Sequence, residues 1–460
     1  MKVAVIVPVY NGGKFLPEFL SCLEGQSMKA FEVYFIDDCS TDNTSMLLQE
    51  AVEKNAAFHY MRNEKRRGAA ATRNRGIECS RSEYVLCLDA DDLIASDLIE
   101  QLVKAADTCD ADMVMLERND ITKSGSVVRQ NDFLNDDTEL YIDRHMPYNL
   151  RAFQVKGQPD DFLVRCMNGT CDRMIKRELL DRYQIRFQDL PSSNDVFYIL
   201  FSSFAAERIV HTRTSDFLYY RRIHSEEGRI SNHRDPMCAF KALDAVRETL
   251  VQHHMWEECC VHFWVFALDS LEKQLFVCKD KERQRQVYRY LQEEGIRKLG
   301  VPDDILYSRL PEYYRKQFNR LRTLPYERKC FQDSMVFHAL CEKNRSKISE
   351  IFTYAKQKNL KIGYWGVGRQ VEGFMDAAAG MGEKIDYLID NNKDKQGREF
   401  FGLKVVSYDT VFQEAGIIIV SNKQYYGAIF HQIKEMNADA QVLCIQEYLF
   451  CNRTLQGCIR

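Results

Sequence analysis

Residues 3–13 read VAVIVPVYNGG, and this stretch decides the class of fold. The run from Val3 to Val9 is apolar without alternation, which is typical of a strand that is buried on both faces of a sheet. The four residues after it, 10–13, include an asparagine and two glycines, which favour a turn. Apolar residues then recur with helical spacing over 15–23, so a strand followed by a helix is predicted here.

The same pattern continues through the first 120 residues. Further strands are predicted at 31–36, 58–61, 84–88 and 113–116, with helices at 46–52, 68–78 and 98–106 between them. This alternation with short connections predicts an α/β fold with a doubly wound parallel sheet. Ligands bind to such a sheet beyond the carboxyl ends of its strands. Three of the predicted strand ends carry polar clusters, which are Tyr10-Asn11, Asp37-Asp38 and Asp89-Ala90-Asp91-Asp92.

The third cluster has the composition of a metal site. Neighbouring carboxylates repel one another, so they are usually held together by a cation or by hydrogen-bond donors. Oxygen ligands of this kind suit a hard divalent cation, which retains several waters and bridges to substrate phosphates. The alternative hypothesis is that Asp91 and Asp92 only begin the next helix, where acidic side chains are favoured.

The composition excludes several other classes of protein. The chain has 460 residues with 63 basic and 67 acidic side chains, whereas a general nucleic-acid-binding protein would be far more basic. No apolar stretch reaches 18 residues, so no transmembrane helix is expected, and residues 1–8 lack the features of a signal peptide. The 16 cysteines include no CxxC pair, which favours buried free thiols over a zinc site. We therefore expect a protein of the reducing cytoplasm.

Four motifs, in this order and spacing, resemble the signature of family 2 glycosyltransferases. They are Val7-Pro8-Val9-Tyr10-Asn11, Ile36-Asp37-Asp38-x-Ser40-Thr41-Asp42, Gly68-x4-Arg73-Asn74-x-Gly76-Ile77 and Leu88-Asp89-Ala90-Asp91-Asp92. The resemblance covers about residues 1–235. It implies a GT-A fold, which binds a nucleotide-diphospho-sugar and transfers the sugar with inversion.

The resemblance also implies roles for individual residues. In the implied donor-binding set, Pro8, Tyr10 and Asn11 surround the base and ribose, and Asp38 accepts from a base N–H with help from Asp37. Gly68 belongs to the same set, and Arg73 lies near the diphosphate. Asp89 would face the ribose or the metal, and Asp91 would hold the metal, Mg²⁺ or Mn²⁺. An ionised carboxylate only accepts hydrogen bonds, which suits the imide N–H of uracil and so a UDP-linked donor. A metal and an arginine offset the charge that develops on the leaving diphosphate.

A second part of the resemblance concerns the acceptor side. A helix is predicted over 172–180, followed by Phe187, a loop and the pair Asn194-Asp195. Family members commonly carry Glu-Asp there, with the aspartate as general base, so the resemblance implies that Asp195 is the base. The alternative is that Asp195 is only a carboxylate at a helix N-terminus, favoured by the helix dipole.

Residues 219–224, Tyr-Tyr-Arg-Arg-Ile-His, resemble the family segment that closes over the donor phosphates. The resemblance implies that Arg221 and His224 contact phosphate. The residues after them, Gly228-Arg229-Ile230-Ser231, depart from the usual Ser-Ile-Ser ending. A solvated basic turn is the alternative interpretation.

Three domains are predicted, at 1–235, 236–350 and 351–460. The second is a helical segment. The third restarts the strand–helix alternation and resembles the small Rossmann-like domains attached to sugar acetyltransferases and some sugar-modifying enzymes. Gly366, Gly368 and Asp390 form a candidate second nucleotide site, although Val371 stands where a full glycine fingerprint has Gly. A ligand-free docking or homo-oligomerisation domain is the alternative.

The function expected from these features is that of a metal-dependent, inverting hexosyltransferase. It would move a sugar from a nucleotide-diphospho-sugar to a hydroxyl of a cell-envelope polysaccharide or lipid-linked acceptor. A basic and aromatic run at 313–329 would allow peripheral contact with the inner membrane face, although such a stretch is more often a helix with one core face and one solvated face. The alternatives are a catalytically weak nucleotide-sugar-binding protein and a sugar-modifying enzyme whose activity lies in the C-terminal domain.

Overall fold

The computed structural model describes most of the chain. The described residues are 1–116, 118–121, 127–129, 150–166, 169–212, 219–222, 235–278, 280–303, 310–323, 341–367, 371–393, 395–420, 423–450 and 454–459. They divide into two compact units, Met1–Arg328 and Lys329–Arg460, and each unit is described by itself. The described helices between residues 235 and 328 belong to the first unit. The division at residues 235 and 350 stays a prediction.

The strands of the first unit are β1 (Val3–Val9), β2 (Phe31–Asp37), β3 (Phe58–Arg62), β4 (Tyr84–Cys87), β5 (Leu93–Ile94), β6 (Met113–Leu116), β7 (Arg118–Ile121), β8 (Val127–Arg129), β9 (Leu150–Phe153), β10 (Arg173–Lys176), β11 (Ile209–Thr212) and β12 (Tyr219–Arg222). Its α-helices are α1 (Leu16–Glu24), α2 (Thr44–Lys54), α3 (Gly68–Cys79), α4 (Leu98–Cys109), α5 (Phe162–Cys166), α6 (Arg177–Arg182), α7 (Val196–Ala205), α8 (Pro236–Gln252), α9 (Trp256–Val277), α10 (Lys281–Tyr290), α11 (Ile296–Lys298) and α12 (Glu312–Thr323). A 3₁₀ turn covers Val155–Gly157, and a π-helical turn covers Leu291–Gly295.

An eight-stranded sheet in the order β3-β2-β1-β4-β10-β6-β11-β9 forms the centre of this unit. The first four strands in this order are parallel, as predicted, and β1 is buried almost completely between its neighbours. Strands from later in the chain do not follow this pattern, because β10 runs antiparallel between β4 and β6 and β9 pairs antiparallel with β11. The sheet is therefore mixed, with its parallel half at the N-terminal end of the chain.

The prediction of a helix over 172–180 is wrong in its first half. Residues Arg173–Lys176 form β10, and helix α6 begins only at Arg177. Met174 and Ile175 are fully buried between β4 and β6, so the gain from filling this gap in the sheet overrides the local helical pattern.

The register of the parallel strands brings their carboxyl ends to one edge. Val9 in β1 lies opposite Asp37 in β2, and the Leu88 backbone N–H just after β4 donates to the Ile6 carbonyl at 3.0 Å. The three polar clusters that follow β1, β2 and β4 therefore lie at the same edge of the sheet. A smaller sheet in the order β5-β12-β7-β8 includes β5, which begins directly after the third cluster.

Helix α3 packs closely over the centre of the sheet because Gly76 lacks a side chain. A Cβ atom at this position would lie 2.5 Å from Ile6 Cγ2 and 3.3 Å from Ile36 Cγ1. Gly76 thus fixes the distance between this helix and strands β1 and β2.

Replacing Gly76 with alanine is expected to destabilise the protein by about 1–3 kcal/mol, because an added methyl group overpacks a fully buried contact. The measurement is the urea midpoint of unfolding, followed by fluorescence. The control is Gly157→Ala in the same unit, where the added Cβ would have no neighbour within 4 Å. Equal midpoints for the two variants would show that α3 has room to move away from the sheet.

The second unit contains a six-stranded sheet in the order β15-β16-β14-β13-β17-β18. Its strands are β13 (Lys361–Trp365), β14 (Tyr387–Ile389), β15 (Glu399–Phe400), β16 (Leu403–Val406), β17 (Ala415–Val420) and β18 (Gln441–Cys444). Its helices cover Arg345–Lys358, Val371–Ala379, Tyr408–Val411, Lys423–Met436, Ile445–Phe450 and Leu455–Cys458. Every pair is parallel except β15–β16, and the strand order reverses at β13. The resemblance to domains of sugar-modifying enzymes stays a prediction.

The longest described helix is α9, with 22 residues. Among the residues that the structure describes, no helix combines the length and the apolar character that crossing a membrane requires. The cysteines within those same ranges carry free thiols, and most of them are buried.

Candidate active site

The loops after β1 and β2 are joined by side-chain hydrogen bonds. Asn11 has a left-handed backbone, with φ of 50°, which asparagine tolerates better than most residues. Its backbone N–H donates to Ser40 Oγ at 2.9 Å, and its Oδ1 accepts from the Thr41 backbone N–H at 2.8 Å. The Gly12 N–H donates to Thr44 Oγ1 at 2.9 Å. These bonds fix the two loops as one wall of the site.

Asp37 is a fully buried anchor of this wall. Its Oδ1 accepts from the Ser40 N–H at 2.8 Å, and its Oδ2 accepts from Ser45, Tyr60 and, at 2.6 Å, Arg62. Burial alone would raise the pKa of this carboxyl, but the hydrogen bonds from Ser40 and Ser45 and the charge of Arg62 together lower the pKa below its usual value. With both oxygens engaged inside the protein, Asp37 supports the loop.

Asp38 holds the turn that begins helix α3. Its carboxylate accepts from Asn63 Nδ2 and from the backbone N–H groups of Arg67 and Gly68, each at 2.8 Å. Gly68 has φ of +82°, a conformation that glycine adopts without strain. A carboxylate has about four acceptor positions, so about one remains for a base N–H.

Tyr10 is the exposed aromatic ring at this edge, with 42% of its surface accessible. The guanidinium carbon of Arg66 lies 4.0 Å from the ring centroid, which is the geometry of a cation–π contact. Pro8, two residues earlier in β1, is half-buried opposite Ile36. Tyr10 thus offers a flat apolar surface at the mouth of the site.

The three carboxylates after β4 form a compact cluster. One oxygen each from Asp89, Asp91 and Asp92 lies within 4.8 Å of the others. Arg73, which is 8% exposed, donates from Nη2 to Asp89 Oδ1 at 2.6 Å. Asp89 and Asp91 are half-buried, so both side chains are partly accessible at this edge of the sheet. This donor set fits a hard divalent cation.

Asp92 differs from its neighbours because it is 3% exposed. Its Oδ2 accepts from the hydroxyl of Tyr219, and its Oδ1 accepts from the Arg222 backbone N–H at 2.8 Å. Burial, followed by the negative charges of Asp89 and Asp91, raises the pKa of Asp92 to about 7. The surroundings of Asp92 therefore disfavour its ionised form.

Asp195 is the N-cap residue of α7 and makes no capping hydrogen bond with its side chain. Its place at the N-terminus of α7 also agrees with the alternative of a carboxylate favoured by the helix dipole. Asp195 is half-buried and follows Ser193, whose φ of 54° turns the chain sharply.

A continuous set of contacts connects the acid cluster to helix α7. The Phe187 ring lies 5.4 Å from the Arg73 guanidinium and stacks on Tyr198 of α7 with ring centroids 4.1 Å apart. Asn74 fixes the Phe187 backbone with two hydrogen bonds, at 2.7 and 2.8 Å. Contacts therefore connect Asp89 through Arg73 and Phe187 to Tyr198, which lies in the helix that begins after Asp195.

Several contacts of this site could not be predicted from the sequence. The Tyr219–Asp92 bond, the Arg62–Asp37 pair and the Phe187–Tyr198 stack join residues far apart in the chain, and no local spacing signals them. Arg221 lies in β12 and is half-buried. His224 lies outside the described residues.

The candidate second nucleotide site lies in the other unit. Asp390 accepts from the Val367 and Asn392 backbone N–H groups, each at 2.9 Å, and from Lys395 Nζ at 3.0 Å. Gly366 has φ of +104°, and Gly368 lies outside the described residues. The oxygens of Asp390 are therefore largely engaged in holding their own loop.

The mixed sheet with acids at its parallel edge is the GT-A fold of glycosyltransferases. The chain aligns with the crystal structure of Staphylococcus aureus TarS with a TM-score of 0.54 at 19% identity, over 70% of this chain and 53% of that one. At this identity the likeness shows the fold alone.

Residues 4–184 match the family described as Glycosyl transferase family 2. The chain therefore contains a family 2 glycosyltransferase domain. It is 28% identical over 228 residues to the glycosyltransferase GlyG of Streptococcus pneumoniae, which covers 48% of this chain and 71% of GlyG. It is 24% identical over 337 residues to the cholesterol galactosyltransferase of Borreliella burgdorferi, which covers 70% of this chain and 90% of that protein.

Proposed function

We propose that this protein is a metal-dependent, inverting glycosyltransferase that uses a nucleotide-diphospho-sugar donor, UDP-linked in the first instance. The observation that carries the proposal is the cluster of Asp89, Asp91 and Asp92 beside Arg73, at the ligand-binding edge of a family 2 domain. A buried arginine next to grouped carboxylates is the combination that a diphosphate and its metal require.

The nucleoside would lie on the wall formed by the loops after β1 and β2. Tyr10 supplies an exposed ring for stacking, and the remaining acceptor position of Asp38 suits the imide N–H of uracil. The asparagine at position 11, held in its left-handed turn, and Pro8 would shape the floor under the ribose. Guanine also presents an N–H to an acceptor, so donors with either base have to be compared by experiment.

Asp89 and Asp91 would hold the divalent metal, Mg²⁺ or Mn²⁺, since they are the two half-buried acids of the cluster. When bound, the metal supplies positive charge that stabilises the leaving diphosphate. Arg73 adds a fixed positive charge, and Arg221 adds a second on strand β12. The leaving group thus departs toward an electropositive side of the site.

On the acceptor side, Asp195 would act as the general base. The acceptor hydroxyl oxygen attacks the anomeric carbon from the face opposite the diphosphate, and its proton passes to the Asp195 carboxylate. The bond between the anomeric carbon and the diphosphate oxygen breaks in the same step, so the configuration inverts. A carboxyl group without a capping bond at the N-terminus of α7 suits this role.

The acceptor class is a proposal from chemistry and from the relatives. The name of the Borreliella relative specifies a sterol acceptor, which favours a lipid or lipid-linked hydroxyl over a free sugar. A surface polysaccharide that grows on a lipid carrier satisfies the same requirement. We further propose that the protein is cytoplasmic and contacts the inner membrane face peripherally, and that it forms homo-oligomers through the C-terminal unit.

The proposal is tested with a panel of UDP-, GDP-, CDP- and dTDP-sugars, by measuring release of the nucleoside diphosphate with Mn²⁺, with Mg²⁺ and with chelator. We expect slow hydrolysis of at least one UDP-sugar that depends on the metal. Hydrolysis that is unchanged in chelator would remove the metal from the proposal. Absence of both hydrolysis and nucleotide binding would favour the alternatives of a disabled transferase fold or a C-terminal activity.

A further inference from the structure

Strand β12 is fastened to the acid cluster through Asp92. The Tyr219 hydroxyl, at the start of β12, donates to Asp92 Oδ2, and the Arg222 backbone N–H, at its end, donates to Asp92 Oδ1 at 2.8 Å. Tyr219 and Asp92 are 1% and 3% exposed, so neither bond competes with bulk water. The same carboxylate therefore accepts hydrogen bonds from the first and the last residue of the strand.

These bonds leave Asp92 poorly suited to bind a metal. Both of its oxygens already accept from donors whose positions are fixed by strand β12 and its neighbours. Asp92 is 3% exposed, so a cation bound to it would have to give up most of its waters in a buried place, which is costly. Asp89 and Asp91, by contrast, lie half-buried at the open edge.

We propose that Asp92 is a positioning residue, which latches strand β12 onto the end of β4 and leaves the metal to Asp89 and Asp91. The inference rests on the proposed function and assigns a task within it. We refer to Asp92, Tyr219 and the Arg222 backbone N–H together as the latch.

The far end of β12 is held a second time. The Arg222 side chain forms an ion pair with Glu18 of α1, and its guanidinium lies 5.5 Å from the centroid of the Phe15 ring. Phe15 and Glu18 follow the loop that carries Tyr10 and Asn11, so β12 joins the base-binding wall to the acid cluster. The strand is therefore fixed across the donor site.

The latch determines where Arg221 lies. Side chains alternate along a strand, so Arg221 shares a face with Tyr219, whose hydroxyl reaches the acid cluster, while Tyr220 and Arg222 share the other face. Arg221 is thereby held on the side of the donor phosphates. If the latch opens, the arginine loses its fixed position while every metal ligand stays in place.

The main test is Tyr219→Phe in the full chain, because it removes one bond of the latch and changes no charge. We expect the affinity for UDP in the presence of Mn²⁺, measured by calorimetry, to fall by about tenfold, the loss typical of a hydrogen bond to a charged group. The KM for the donor should rise by a similar factor and kcat should change less. Tyr220→Phe, on the opposite face of the same strand, is the matched control and should leave both values near those of the wild type.

Asp92→Asn tests the assignment of metal ligands, with binding of Mn²⁺ alone followed by electron paramagnetic resonance. The asparagine oxygen can still accept from the Arg222 N–H, and its amide can donate to the Tyr219 oxygen, so the latch persists. We expect Asp92→Asn to retain Mn²⁺ binding, with a loss of about tenfold or less from the missing charge. Asp91→Ala in the same assay should lose binding altogether.

Two results would overturn the inference. One is loss of Mn²⁺ binding in Asp92→Asn as complete as in Asp91→Ala, which would make Asp92 a ligand. The other is UDP affinity in Tyr219→Phe within about twofold of the wild type. Failure of the wild type to bind Mn²⁺ and UDP would instead refute the proposed function, so the two failures are distinguishable.

Discussion

Asp91→Ala is expected to reduce sugar transfer at least about a thousandfold, because it removes a ligand of the metal that offsets the charge on the leaving diphosphate. Asp91 is one of the two half-buried acids of the cluster that follows β4, next to Asp89 and its partner Arg73. Metal-dependent binding of UDP should be lost in the same variant. The fold should persist, since relieving repulsion among three grouped carboxylates does not weaken the core.

The measurement compares product formation and calorimetric UDP titration with and without Mn²⁺, together with the melting temperature. Asp107→Asn is the control, because Asp107 is an exposed acid on helix α4 that pairs with Lys2. Its activity should equal that of the wild type. An Asp91→Ala protein that transfers sugar at the normal rate in chelator would show that the metal assignment is wrong.

Asp195→Asn is expected to lower transfer by at least about a hundredfold with little change in affinity for UDP or its metal, since general-base help contributes about 10²–10⁴-fold. The asparagine has the same shape and cannot take the proton of the acceptor hydroxyl. Donor affinity depends on a different set of residues, Asp38, Arg73 and Asp91. The loss should therefore appear in kcat while the donor KM stays unchanged.

Asp97→Asn offers a matched control for this variant. Asp97 is also an aspartate at a helix N-cap, before α4, and it also makes no capping bond to a backbone N–H, although its Oδ2 accepts from Gln101 Nε2 at 3.2 Å. Its replacement should leave transfer unchanged, which separates the chemistry of Asp195 from any effect of a helix dipole. Transfer by Asp195→Asn within a few-fold of the wild type would exclude it as the base, and loss of UDP binding would assign it to the donor site.

The parallel half of the sheet could be predicted because its signals are local. Each buried strand is a short apolar run that ends in turn-forming or acidic residues, and each helix follows after a few residues. The carboxyl ends of parallel strands then meet at one edge by geometry alone. For that reason Tyr10, Asp38, Asp89 and Asp91 could be expected at one edge of the sheet without any knowledge of contacts.

The antiparallel insertion of β10 could not be predicted in this way. Residues 172–180 have helical spacing, and only the gap between β4 and β6 makes an extended conformation of Arg173–Lys176 more favourable. Burial between two strands is a property of the whole sheet. Local propensity is too weak to override it.

The roles of the acids likewise depend partly on local sequence and partly on the folded structure. The sequence by itself determined that carboxylates follow β2 and β4, and that an aspartate follows the loop after Phe187. Only the tertiary structure decided which oxygens remain available. Asp37 is engaged by Arg62, 25 residues away, and Asp92 by Tyr219, 127 residues away, whereas the side chain of Asp195 makes no capping bond. Hydrogen bonds between residues so distant in sequence form only after the chain has collapsed, so packing decides whether a carboxylate remains available. Its position at the end of a strand follows from the local pattern of apolar residues.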